Sequence, residues 1–180
     1  MQGKCSNIKA GADLSKCDLS RRIFWKANLS GANFSGALLV GSAFIESDFT
    51  KTTHQGANLQ GAWFIGSKFD GARFVGANLT GANFSGASFK GAVLKQLTLS
   101  NTQFHKAIFE GVHFDEEDLR GAAFRGASFI QASFLGANLS GVDFTGADLR
   151  GADLSGAKLA GANFSKAKLA GAKFTKNSFL

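Results

Sequence analysis

Every fifth residue from Leu14 to Phe179 is large and apolar, with one exception. Of these 34 positions nineteen are Phe, fourteen are Leu and the last is His54, and no Phe falls anywhere else in the chain. The class that opens each unit, beginning at Gly11, holds 22 of the 23 Gly. A period of five fits neither a helix at about 3.6 residues per turn nor a flat strand at 2, so no single regular element runs through it. Fixed self-similarity of this kind marks a stacked repeat architecture.

The unit itself is clearest in Gly71 to Lys90, GARFVGANLTGANFSGASFK. Ala and the Phe or Leu lie two apart, so a short extended segment turns both to one side and the residue between them to the other. The next two residues, commonly Ser or Thr and then Gly, must bend the chain before the following Ala. Gly as the second central residue of a turn supplies the positive φ of a type II turn. Bending in one sense at every fifth residue winds the chain into a coil with an apolar axis, each turn of the coil resting on the one before.

The units ADLSK, ANLSG, ANFSG, ANLTG, ADLRG and ADLSG resemble the pentapeptide-repeat family, whose pattern is A(D/N)LxG or A(D/N)FxG. The likeness covers residues 10–180 without a slip of register, leaving 1–9 as an N-terminal cap. It implies an all-β fold, a right-handed quadrilateral β-helix with four pentapeptides per coil. On that basis 34 units make about 8 coils, a rod about 40 Å long at about 4.8 Å per strand spacing. Residues twenty apart then stack on one face.

Hydrophobic residues make up 44% of the chain but occupy fixed inward places, and no stretch reads as a membrane-spanning helix. The opening MQGKCSNIK has no apolar run, so no signal peptide is expected. Cys17 takes an inward small-residue place and Cys5 precedes the repeats. Read as free thiols, they suit a reducing, cytoplasmic setting. Net charge is +7 with pI near 9.7. Family members resembling quinolone-resistance factors act as acidic DNA mimics on type II topoisomerases. The charge here has the wrong sign for that role, which stays as an alternative function resting on resemblance.

Three surface features stand out. Ile23 and Trp25, Ala43 and Ile45, Trp63 and Ile65 differ by twenty and form one apolar strip, which Leu38 and Val40 could widen. An exposed patch with two aromatics is a candidate partner site, or else the seat of the N-terminal cap. An irregular belt spans Gln96 to Asp118, where Leu97 and Glu117 replace the small inward Ala. Glu117 buried alone would be costly, so a backbone bulge or pairing with Arg120 or Arg125 is expected. Last, Phe164, Leu169, Phe174 and Phe179 form the final cross-section and are the expected contact of an end-to-end homodimer, inside a ring of Lys158, Lys166, Lys168, Lys173 and Lys176. In the same stretch Asp148 should stack with Lys168 and Asp153 with Lys173.

His54 interrupts the Phe/Leu class between Phe34 and Phe74, and a hydrogen bond to Thr52 or the backbone accounts for it. Arg22, also on an inward place, reads as fraying of the end coil. No Ser/His/Asp, Cys/His or paired-carboxylate arrangement points to an enzyme, and no metal site or cofactor is expected. The reading is a non-enzymatic scaffold that presents its faces to a protein partner. Binding of nucleic acid or an anionic surface through the basic residues is the remaining alternative, weakened by their spread over several faces.

Overall fold

A computed structural model describes residues 5–175. The chain winds as a quadrilateral β-helix, each side one five-residue unit. Inward columns define four faces: Leu14–Phe34–His54–Phe74 on the first, Leu19–Leu39–Leu59 on the second, Phe24–Phe44–Phe64 on the third and Leu29–Phe49–Phe69 on the fourth. Parallel bridges join positions twenty apart, such as Asn33↔Thr53 and Ala43↔Trp63. Most sides are single bridges. Longer strands occur as β1 (Ile23–Trp25), β2 (Ala43–Ile45), β3 (Arg73–Val75), β4 (Val93–Lys95), β5 (Asp153–Leu154) and β6 (Lys173–Phe174), paired in parallel as β1–β2, β3–β4 and β5–β6.

The core is the axis. On the third face the rings of Phe44, Phe64, Phe84 and Phe104 lie nearly parallel, 5.5, 5.0 and 5.3 Å apart. They meet the Phe49–Phe69–Phe89 column of the fourth face edge to face, at 5.1 Å for Phe44–Phe49 and 5.4 Å for Phe84–Phe89. Stacked rings along the axis and T-shaped contacts across it satisfy the aromatic quadrupole in both directions.

The outward Asn or Asp is explained by the turn that follows it. Asn33 Oδ1 accepts the Ser35 backbone N–H at 3.0 Å and the Ser35 hydroxyl at 2.6 Å, and Asn83 and Ser85 repeat the arrangement. These Asx turns pre-shape each corner. Gly71, at φ +68°, is in the left-handed region the type II turn requires. Among the described residues eleven other corners use a side-chain-bearing residue there, including Lys16, Glu46, Gln96 and Glu116.

Corners come in two forms. In the closed form an N–H returns to the carbonyl three residues back, as Ala32 N–H to Leu29 O at 3.0 Å. In the open form, at 24–27, 44–47, 74–77 and 94–97, the strand runs through the corner and that bond is absent.

The cysteines differ from expectation. Cys5 and Cys17 form a disulfide, with Cα atoms 5.4 Å apart, and no cysteine is free among the described residues. The inward place of Cys17 faces the end of the rod, where the incoming segment returns with Cys5 and Ile8 packed on the core. The free thiols on which the reducing-compartment expectation rested are therefore absent. Arg22 is not frayed into the solvent alone: its guanidinium lies 5.2 Å from the Phe24 ring centroid and covers the end of the third-face column.

Candidate protein-interaction surfaces

The strip lies on the third face. β1 and β2 set Ile23 opposite Ala43 and Trp25 opposite Ile45, and the bridge Ala43↔Trp63 carries the series to the next coil. Because Phe24, Phe44 and Phe64 point inward, period-two alternation sends their neighbours out. Ile23 is 69% exposed, Trp25 68% and Trp63 55%, while Ile45 and Ile65 are half-buried between them. The described part of the N-terminal segment leaves this surface open. Leu38 is exposed on the adjoining second face. Lys26 and Glu46, 3.6 Å apart, edge the strip with a solvent-exposed ion pair.

His54 is fully buried, stacked on Phe34 at 5.0 Å and on Phe74 at 4.4 Å, with Nε2 2.9 Å from Thr52 Oγ1. Burial pushes its pKa down to about 3. It is a core residue. Among the described residues no group of three or more His, Cys, Asp or Glu is placed to hold a metal.

The belt is a split in the solenoid. Among the described residues no bridge joins 93 to 113 or 98 to 118, although faces three and four stay joined through Gln103↔Ala123 and Ile108↔Ser128. The repeat would send the N–H groups of Leu94 and Leu99 to the carbonyls of His113 and Asp118, and those bonds are missing. So are the bonds from His113 N–H to Ala92 O and from Asp118 N–H to Leu97 O. Grooves of about 230 Å³ on the first face and about 420 Å³ on the second take their place, the larger lined by Leu97, Thr98, Leu99, Asp118 and Arg120 among others.

The cause is a change of corner form. At 44–47 an open corner rests on the closed corner 64–67, and Ser67 bridges the mismatch: its hydroxyl accepts the Ser47 N–H at 3.0 Å and donates to Phe44 O at 2.8 Å. At 94–97 an open corner again meets a closed one, at 114–117, but Glu117 stands where Ser67 stood. An ionised carboxylate cannot donate to the Leu94 carbonyl. It swings out instead, accepting the Gln96 N–H at 2.7 Å, with its other oxygen 3.4 Å from Lys95 Nζ. Leu97 is pushed to a half-buried position. The expected pairing of Glu117 with Arg120 or Arg125 is thus corrected. Arg120 is held by Asp118 at 2.6 Å, and Arg125 lies 3.5 Å from Asp143. The sequence located the belt, but Lys95 was missed because it reaches Glu117 around a corner rather than along a face.

At the far end Phe164, Leu169 and Phe174 are half-buried, and Phe179 and Lys176 lie outside the described residues. Lys168 approaches Asp148 at 3.8 Å and Lys173 approaches Asp153 at 3.5 Å, the two pairs expected from stacking.

The family model for pentapeptide repeats matches this chain in eight copies running from residue 12 to residue 176. The chain belongs to the pentapeptide-repeat family. Among solved structures, this pentapeptide-repeat chain is similar to HetL, involved in heterocyst differentiation regulation in the cyanobacterium Nostoc sp. strain PCC 7120. Identity is 27%, over 95% of this chain and 86% of HetL, with a TM-score of 0.50. A trypsin-treated form of QnrB1, a plasmid-mediated fluoroquinolone resistance protein, is 23% identical over 88% of each chain, with a TM-score of 0.49. A pentapeptide-repeat protein of the Arabidopsis thaliana thylakoid lumen is 22% identical over 76% of this chain and 68% of that one, at a TM-score of 0.30. No curated protein matches. The right-handed quadrilateral β-helix expected from the repeat is the fold of the family.

Proposed function

We propose that this pentapeptide-repeat protein is a non-enzymatic scaffold that holds a protein partner on the N-terminal half of its third face. One observation carries the reading: Ile23, Trp25 and Trp63 are the most exposed large apolar side chains among the described residues, and they lie on one face. Water-exposed apolar surface of this size favours burial by about 25 cal/mol per Å², and Trp is a residue type enriched at the energetic centres of interfaces. The rigid stack beneath fixes the spacing of the two indoles, so docking orders few groups.

The test places a photo-crosslinking side chain at Trp25 and, as control, at exposed Lys168 on the fourth face. The reading expects one discrete heavier adduct in native extract from the Trp25 position alone, lost when Ile23→Glu and Trp63→Glu are added. An adduct of twice the chain's mass would assign the strip to a second copy of this protein. Equal labelling from both positions, or none from Trp25, would overturn the proposal.

A further inference from the structure

We infer that the partner proposed for the third face docks as an extended segment that adds a strand to the free edge of β1, with an acidic residue over Arg22 and an apolar one on either side. The inference rests on the third face being the docking face and says how that face is read.

The N-terminal coil has four sides, and three of them are guarded. Asp13, Asp18 and Asn28 each accept the N–H of the Ser two residues on, at 3.1, 2.9 and 3.1 Å. An Asx turn therefore ends each extended piece at once and leaves a polar side chain at its edge. Such side chains on an open edge discourage further pairing. On the third side Ile23 occupies that place. An aliphatic side chain forms no Asx turn, and the strand runs on through the corner as β1. Register then fixes where its backbone points. Ala43 N–H reaches Arg22 O at 2.8 Å and Lys26 N–H reaches Ile45 O at 2.9 Å, so Arg22, Phe24 and Lys26 turn toward the second coil. Ile23 and Trp25 turn their N–H and C=O the other way, toward the end of the rod, where no backbone group of the described residues meets them. A strand edge with donors and acceptors at this spacing is what an extended peptide completes by main-chain bonding.

Arg22 decides the segment's character. Phe24 is half-buried, whereas Phe44 and Phe64 in the next two coils are fully covered. The Arg22 guanidinium lies 5.2 Å from the Phe24 ring centroid, is exposed, and has no acidic partner among the described residues, while neighbouring Lys26 has Glu46 at 3.6 Å. A strand added in register sets one residue above Phe24 and its two neighbours in line with Ile23 and Trp25. A carboxylate at the central place pairs with Arg22, and apolar side chains on both sides extend the strip by one coil.

The probe is a capped heptapeptide whose centre reads Ile-Glu-Ile, titrated into the isotopically labelled full chain and followed by amide NMR. Saturable shifts centred on residues 22–26 are expected, with exchange of the Ile23 and Trp25 amides slowed at least tenfold at saturation. Methylation of alternate backbone nitrogens of the peptide should weaken binding at least tenfold, and so should Lys in place of the central Glu. The decisive variant is Arg22→Glu, which leaves the apolar strip intact. It should lose the Glu peptide and take the Lys peptide instead; an unchanged preference would overturn the inference. So would a methylated peptide that binds as tightly as its parent. Ile23 and Trp25 amides already protected in the protein alone would overturn it too, by assigning the edge to another part of the chain, or to a second copy if protection rises with concentration. A Trp25 crosslink in extract beside a peptide that does not bind would leave the docking face standing and remove the added strand.

Discussion

His54 donates from Nε2 to Thr52 Oγ1 across 2.9 Å, because the Thr52 hydroxyl hydrogen is committed to the Phe49 carbonyl at 2.6 Å. The tautomer follows from this pair. Nδ1 is left as a bare acceptor, buried with no donor in reach. Protonation there would place a charge between two Phe rings with no counter-charge, which accounts for a pKa near 3.

Stability should therefore fall on mild acidification. An unfolded His54 takes its proton near pH 6.5 and the folded one near 3, so between those values the unfolded state binds more protons. Folding free energy is then lost as pH drops through that window, by several kcal/mol for a shift of this size. His54→Phe should remove this part of the slope and add about 1–3 kcal/mol at neutral pH, since it eliminates the unsatisfied nitrogen while Thr52 keeps its bond to Phe49. Urea unfolding of both proteins at pH 7 and pH 4 measures it. An unchanged difference between the two proteins across that range would show that His54 is not the source.

Phe84→Ala should destabilise by about 3–5 kcal/mol. The ring is fully buried, stacked at 5.0 and 5.3 Å on Phe64 and Phe104 and edge-on to Phe89 at 5.4 Å. Stacked columns leave no neighbour free to collapse into the space. Denaturant unfolding monitored by a β-type circular dichroism signal is the check.

Reduction of Cys5–Cys17 should loosen one end and leave the other untouched. The bond closes a loop with a sequence separation of 12, worth about 2–3 kcal/mol in the chain-entropy account. Because each coil contacts only its neighbours, amide protection should drop near Leu14 and Leu19 but hold at Phe144 and Leu149. Uniform loss along the chain would contradict a one-dimensional solenoid.

DNA gyrase supercoiling should proceed unhindered, with and without a quinolone. A duplex mimic needs an unbroken acidic array, and here Glu110, Glu117, Asp118, Asp143, Asp148 and Asp153 each have a basic partner within 4.0 Å. Potent inhibition at sub-micromolar protein would reverse this.

Much of the fold was legible because one period governs it. The Phe class, the positive-φ corners and the Asp148–Lys168 stack all follow from counting in fives and twenties. What escaped lies off that count. Cys5 precedes the first unit, so no register places it beside Cys17. Open and closed corners share the same residue types, with Glu46 in one and Glu116 in the other both at positive φ, and the difference arises from what the coil below can donate. Glu117 was recognised as misplaced, but its partner depends on that corner form.

The split between residues 91–100 and 111–121 also has a mechanical consequence. At that level the backbone ladder is kept only on the sides bearing Phe104–Phe124 and Phe109–Phe129, with rings 5.3 and 5.0 Å apart. A square column fastened along two adjacent sides opens most readily on the other two, about an axis that lies across the rod. Opening it breaks no backbone-to-backbone hydrogen bond on the unfastened sides, only the side-chain ties of Glu117 and Lys95, while bending elsewhere among the described coils breaks a full ladder. The rod therefore has a built-in direction of flexure.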